Sequence, residues 1–174
     1  MKNTRVPLMI SHTKEKKVIK KLSKKIKEAY PNISPENTLV VMVSPDYSAT
    51  VAMHVAHNLS KDGEMCNILP IHVSYPDETI DIYVTKASKD IESFLDFSET
   101  EYENYLLVEA GVIRGGTYTW LTELLSSKVK GNIITTSLYE NVGSKFKSNV
   151  VGEYYDDSKQ DLTFYFEKQN NHWK

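Results

Sequence analysis

The chain has 174 residues, 40% of them hydrophobic and 25% charged, with a formal net charge of −2. Those proportions suit one globular domain with one core, and no apolar run reaches the roughly 18 residues of a membrane span, so neither a membrane protein nor a membrane partner is expected. The start of the chain lacks a signal-peptide pattern, and the single cysteine, Cys66, rules out an internal disulfide or a multi-thiolate metal site; a reducing, cytoplasmic setting is the simplest expectation.

Ser11 or Thr13 is placed to cap a helix over about 14–30, which Pro31 and Pro35 end. Val18, Ile19, Leu22, Ile26, Ala29 and Tyr30 recur at helical spacing, leaving the lysines for the opposite face. Residues 11–30 carry eight lysines against two glutamates, so the remainder of the chain stands at −8. Such a stretch is able to touch an anionic partner, but it reads first as a solvated helix face and not as a nucleic-acid-binding element.

Thr38-Leu-Val-Val-Met-Val43 is an unbroken apolar run and so a buried central strand. Ser44-Pro-Asp-Tyr47 reads as a turn, Ala49 to Leu59 as a helix, and Lys61-Asp-Gly63 as its stop. Strands are expected over Met65–Ser74 and Ile80–Thr85, then a helix over about 88–97 and an acidic stretch, Glu99 to Glu103. Tyr105-Leu-Leu-Val108 is another buried strand, Tyr118 to Lys128 a helix, and Asn132 to Leu138 a strand. The tail, Val150 to Glu167, is expected to form two antiparallel or edge strands rich in Tyr and Phe. This alternation implies an α/β fold, a mainly parallel sheet flanked by helices on both faces.

In open parallel sheets ligands bind beyond the carboxyl ends of the strands. There the sequence offers Glu109 just past a strand, then Gly115-Gly116-Thr117 opening a helix. Glycines let the backbone approach an anion and supply positive φ, and the N–H groups of a helix start hold phosphate. Glu109 is suited to a sugar diol. An acid, a Gly-Gly-Thr turn and a helix together describe a site for a phosphorylated sugar, although a Gly-Gly-Thr turn alone is equally an ordinary connection.

The segment Tyr105-Leu-Leu-Val-Glu-Ala-Gly-Val-Ile-Arg-Gly-Gly-Thr-Tyr-Thr-Trp120 resembles the phosphoribosyl-pyrophosphate loop of type I phosphoribosyltransferases, purine and xanthine-like members in particular. The resemblance implies that the turn joining the Leu39–Leu59 strand and helix, with Ser44, Asp46, Tyr47 and Ser48, faces pyrophosphate. It implies also that residues 145–174 form a small C-terminal β-rich hood within one domain spanning 1–174. Several positions depart from the family pattern. A second acid is replaced by Ala110, the position of a proton-handling Asp is Ile113, and the first Thr of the phosphate turn is Arg114. Pro45 supplies no N–H to an anion and Asp46 repels one. Val150 stands where the family's hood stacks an aromatic on the base, and no lysine stands at the end of the Asn132–Leu138 strand.

Losing these groups together should cost many orders of magnitude in rate. The preferred expectation is therefore a degenerate member that binds a nucleotide or phosphoribosyl ligand without turning it over, as a regulator or sequestering protein. The ligand-binding residues would be Glu109, Arg114, Gly115, Gly116, Thr117, Ser44, Asp46, Tyr47, Ser48 and Val150, with no catalytic residue assigned. Arg114 adds a fork of donors to a phosphate-favouring loop, or is simply a surface arginine. The alternative is a divergent, active purine-type enzyme using Mg2+; a protein-interaction module built on the basic helix is a third. A homodimer is expected by analogy with the fold class.

Other chemistry-bearing residues have plainer explanations. His54 and His57 sit three apart on a helix without a nearby third ligand, and His12 and His72 have no visible partner. No Gly-x-Ser-x-Gly nucleophile turn occurs. Cys66 reads as an ordinary buried position, the acids from Asp90 to Glu103 as solvated surface, and the aromatics of the tail as packing.

Overall fold

The computed structural model describes residues 6–43, 45–71, 93–94 and 101–164. In chain order the elements are β1 (Val6–Ile10), α1 (His12–Ala29), β2 (Thr38–Val43), α2 (Pro45–Leu59), β3 (Asn67–Ile71), β4 (Asn104–Val112), α3 (Gly116–Lys128), β5 (Asn132–Asn141), β6 (Val150–Tyr155) and β7 (Gln160–Phe164).

All six residues of β2 are buried, as are the first five of β4, so both strands must lie inside the sheet with cover on each face. The five-stranded sheet runs β3-β2-β4-β5-β6, and every neighbouring pair is parallel. Pro70 lies in β3, at the edge, where a missing N–H interrupts no ladder on the outer side. One face of the sheet packs Val40, Leu106, Val108 and Leu138 against α1 and α2 through Leu22, Ile26, Val51 and Val55. The other packs Leu39, Val41, Tyr105 and Leu107 against Tyr118, Leu121 and Leu125 of α3. This is the mainly parallel, doubly covered α/β architecture implied by the alternation of elements.

Ser11 is the N-cap of α1, its hydroxyl accepting from the Lys14 N–H at 3.3 Å. The lysines lie away from the core, and three of them reach over the edge strand β6. Lys25 Nζ donates to the Val151 and Gly152 carbonyls at 2.6 and 3.3 Å, while Lys14 and Lys21 approach Glu153 at 3.8 and 4.0 Å.

Two expectations need correction. Residues 45–47 of the expected turn belong instead to the first turn of α2, because proline's fixed φ suits the first helical position and its absent N–H costs nothing there. Strand β4 does not stop at Val108; pairing with β5 carries it on to Val112, so Glu109 lies within the strand. Of the two arrangements open for the tail, edge strands are found and not antiparallel ones. The return through 142–149 brings the chain back along β5, so that β6 joins the sheet edge in parallel, Val150 opposite Thr136. Then β7 leaves the main sheet and pairs, again in parallel, with β1, a strand the sequence pattern does not signal. The strand expected over 80–85 lies outside the described residues, as does most of the helix expected over 88–97.

Candidate functional site

Alternation along β4 sends Val108 and Ala110 into the core beneath α1 and α2, and Glu109 to the opposite face, beneath α3. In register Glu109 lies beside Ser137 of β5. Burial pushes its carboxyl up to about 8, and no compensating charge lowers it, so the group is held mainly protonated at neutral pH. A neutral carboxyl both donates and accepts, which matches a diol.

Tyr118 closes the space over these strand ends. It is fully buried, and its hydroxyl donates towards the carbonyls of Thr136 in β5 and Leu107 in β4. Burial pushes the Tyr118 hydroxyl well up, with the nearby Glu109 carboxylate adding to the effect. The aromatic residue at the third helical position thus pins α3 to the middle of β4 and β5.

The turn between β4 and α3 is set by Gly115. Its φ of +83° is the left-handed conformation, and a Cβ there would lie 2.2 Å from Phe146 Cβ. Two independent reasons therefore demand glycine at this position. No side chain caps α3, and its first intrahelical bond is Thr119 N–H to the Gly115 carbonyl at 3.0 Å. Gly116 is exposed, with nothing within 4 Å of an added Cβ, and Arg114 is exposed beside it. An uncapped helix start bordered by an open glycine, an arginine fork and a carboxyl group can hold the phosphate of a ligand whose hydroxyls reach Glu109.

Glu109 lies in the second half of β4, and Arg114, Gly115, Gly116 and Thr117 follow in the turn and the first residues of α3, at this corner of the sheet's carboxyl edge. Ser48 is fully buried, and its hydroxyl accepts the Ala110 N–H at 3.0 Å, joining the start of α2 to the strand that carries Glu109. Asp46 and Tyr47 fall in the first turn of α2, and Ser44 lies outside the described residues. Val150 packs in the core on the α1 and α2 face, across the sheet from Glu109, so it does not join this corner.

Three contributors carry no advance signal. Phe146 packs its ring on Tyr118, with centroids 5.3 Å apart, and fills the space above Gly115. Glu140, fully buried, accepts the Ser148 N–H at 2.9 Å and lies 3.8 Å from Lys147 Nζ, tying the 142–149 return to β5. Asn141 makes three hydrogen bonds to loops at this edge. An acid in a buried strand is the only one of these that a pattern search would flag.

Among the described residues no group of three His, Cys, Asp or Glu is arranged for a metal; His54 is half-buried and His57 exposed. Cys66 is buried, with its thiol pushed up by desolvation. No helix among the described residues is long and apolar enough to cross a membrane. A shallow cleft of about 300 Å³, lined by Tyr30, Asn32, Glu103, Asn104 and Asn132 among others, lies at the opposite, amino edge of the sheet. Four residues of β4 lie between Asn104 and Glu109, which are roughly 16 Å apart along the strand.

No protein-family model matches this sequence, and no curated protein sequence matches it either. Solved structures do match. A protein from Neisseria gonorrhoeae of undetermined function, with bound ppGpp, superposes with a TM-score of 0.65 at 14% identity, covering 97% of this chain and 96% of that one. A purine phosphoribosyltransferase from Pyrococcus horikoshii gives 0.62 at 13% identity, covering 91% of each chain. A Leishmania tarentolae HGPRT-ase in complex with GMP gives 0.60 at 17% identity, covering 85% of this chain and 81% of that one. At such identities the likeness concerns architecture, and the architecture is the type I phosphoribosyltransferase fold.

Proposed function

We propose that this chain, folded as a phosphoribosyltransferase, binds a nucleotide or phosphoribosyl compound at the carboxyl edge of its sheet and does not turn it over. The ribose hydroxyls would meet Glu109, and a phosphate would sit on the N–H groups that begin α3, with Arg114 reinforcing it. The observation that carries this reading is the start of α3, which no side chain caps, at the end of the strand that carries Glu109. The non-catalytic part rests on Ala110, which stands where the resemblance places a second acid. That methyl group is fully buried and its N–H is taken by Ser48. A carboxylate there would point into the apolar core instead of at a ligand. The ppGpp and GMP held by two of the similar structures favour a purine nucleotide as the ligand.

The whole chain would act as a single domain, with the β1–β7 pair and the turn before it in the place of the hood. A cytoplasmic homodimer is part of the same proposal. Titration calorimetry with GMP and GDP tests binding. Incubation with phosphoribosyl pyrophosphate, Mg2+ and each common nucleobase tests turnover. Binding without nucleotide formation is the expected result. Nucleotide formation that disappears in Glu109→Ala would establish the second reading, a divergent purine-type transferase using Mg2+, which the likeness to purine enzymes favours.

A further inference from the structure

Asn141, the last residue of β5, is buried, and its carboxamide bonds to three separate loops. Its Nδ2 donates to the Ile113 carbonyl at 3.1 Å, in the turn that leads to Arg114 and Gly115. Its Oδ1 accepts the Gly143 N–H at 3.1 Å, in the return that carries Phe146, and the Asp157 N–H at 3.1 Å, in the turn between β6 and β7. The amide orientation follows from these partners: two N–H donors mark one terminal atom as oxygen, and a carbonyl marks the other as nitrogen.

We infer that Asn141 is a positioning residue for the corner formed by Arg114 to Thr117, and that it couples this corner to the turn between β6 and β7. The inference rests on the reading of that corner as an anion site. The backbone at Ile113 sits immediately before the arginine and the uncapped helix start, and its side chain is half exposed. Asn141 supplies that fixation from the rigid end of a sheet strand. Because the same carboxamide also holds Gly143 and Asp157, a shift of the Ile113 turn towards a bound phosphate pulls on both other loops. The β6–β7 turn is itself stiffened by Asp156, whose carboxylate accepts from the Ser158 hydroxyl at 2.6 Å and pairs with Lys159 at 2.8 Å. A displacement at Asn141 therefore moves this turn as a unit.

Asn141→Asp separates the two halves of the arrangement. It keeps an acceptor for Gly143 and Asp157 but replaces the donor to Ile113 with a repelling oxygen. With GDP as the probe, the expected result is affinity reduced about tenfold and amide exchange over 113–116 raised by a similar factor, the loss of one buried hydrogen bond. Ser158→Ala, which loosens the coupled β6–β7 turn without touching Asn141, should lower GDP affinity, but by less than Asn141→Asp does, and a larger loss than in Asn141→Asp would overturn the inference. Unchanged GDP affinity and unchanged exchange in Asn141→Asp would overturn the inference. If the unaltered chain binds neither GDP nor inorganic pyrophosphate, the proposed function fails on its own. The positioning role is then judged by exchange in the ligand-free protein, where unaltered rates at 113–116 in Asn141→Asp refute it. Should that variant not fold, the unaltered chain still decides: GDP must slow exchange at the Gly143 and Asp157 amides, and no effect there refutes the coupling.

Discussion

The hydroxyl of Ser48 accepts the backbone N–H of Ala110 at 3.0 Å, both residues being completely buried, so the first turn of α2 is fastened to the strand segment that presents Glu109. Ser48→Ala leaves that N–H without a partner away from water, which costs about 1–3 kcal/mol. Denaturant melts should show this loss, and Ser48→Thr, which keeps the acceptor, should lose less than Ser48→Ala.

Gly115→Ala combines a left-handed backbone with a collision at Phe146. The conformational part costs about 1–2 kcal/mol and the overpacking about 1–3 kcal/mol. Gly116→Ala, in open space, should be tolerated to within about 1 kcal/mol. Thermal melts of the two variants side by side check the contrast, and equal effects would contradict the packing described for Phe146.

The raised Glu109 group makes stability depend on pH in a defined direction. Its folded value of about 8 exceeds the unfolded value of 4.5, so between these limits the folded state holds more protons. Stability from this group is complete below about 4.5 and is lost as pH rises through about 8, by on the order of a few kcal/mol. Glu109→Gln should remove that decline, seen as a flatter melting temperature against pH between about 4.5 and 8. Affinity for an anionic ligand should fall as pH rises through about 8 in the unaltered chain, because deprotonation places a negative charge beside the phosphate.

Tyr118→Phe deletes the hydroxyl that donates to both Leu107 and Thr136. The Leu107 carbonyl keeps the Thr136 hydroxyl at 3.0 Å, so the loss falls mainly on the Thr136 carbonyl. About 1–2 kcal/mol is expected, with amide exchange near the start of α3 rising ahead of the rest of the molecule.

Much of the sheet is legible in the residues because β2 and the first half of β4 are apolar without interruption, and only a strand covered on both faces needs that. Helix α1 is equally plain from its spacing and from Ser11. The end of β4 is not, since an acid and a glycine after Val108 look like a turn; it is the neighbouring strand β5, running on to Asn141, that keeps Glu109 to Val112 extended. Strand β1 is hidden for a related reason. Five residues containing a proline carry no alternation, and their partner lies at Gln160–Phe164. Within the corner itself, the Glu109 and Gly115–Thr117 positions follow from a local motif. Phe146 and Asn141 belong to it only through pairings and close approaches that no short window contains. The resemblance puts Val150 over the ligand, whereas its side chain lies in the core beneath α1.

The pairing of β1 with β7 also orders events during synthesis. Val6–Ile10 is made before every other strand described, yet the strand it lies against follows about 150 residues later, whereas β3, β2, β4, β5 and β6 form a sheet without either. During synthesis β1 therefore waits for β7 while that sheet assembles, and the two clasp only after the last of its strands has formed.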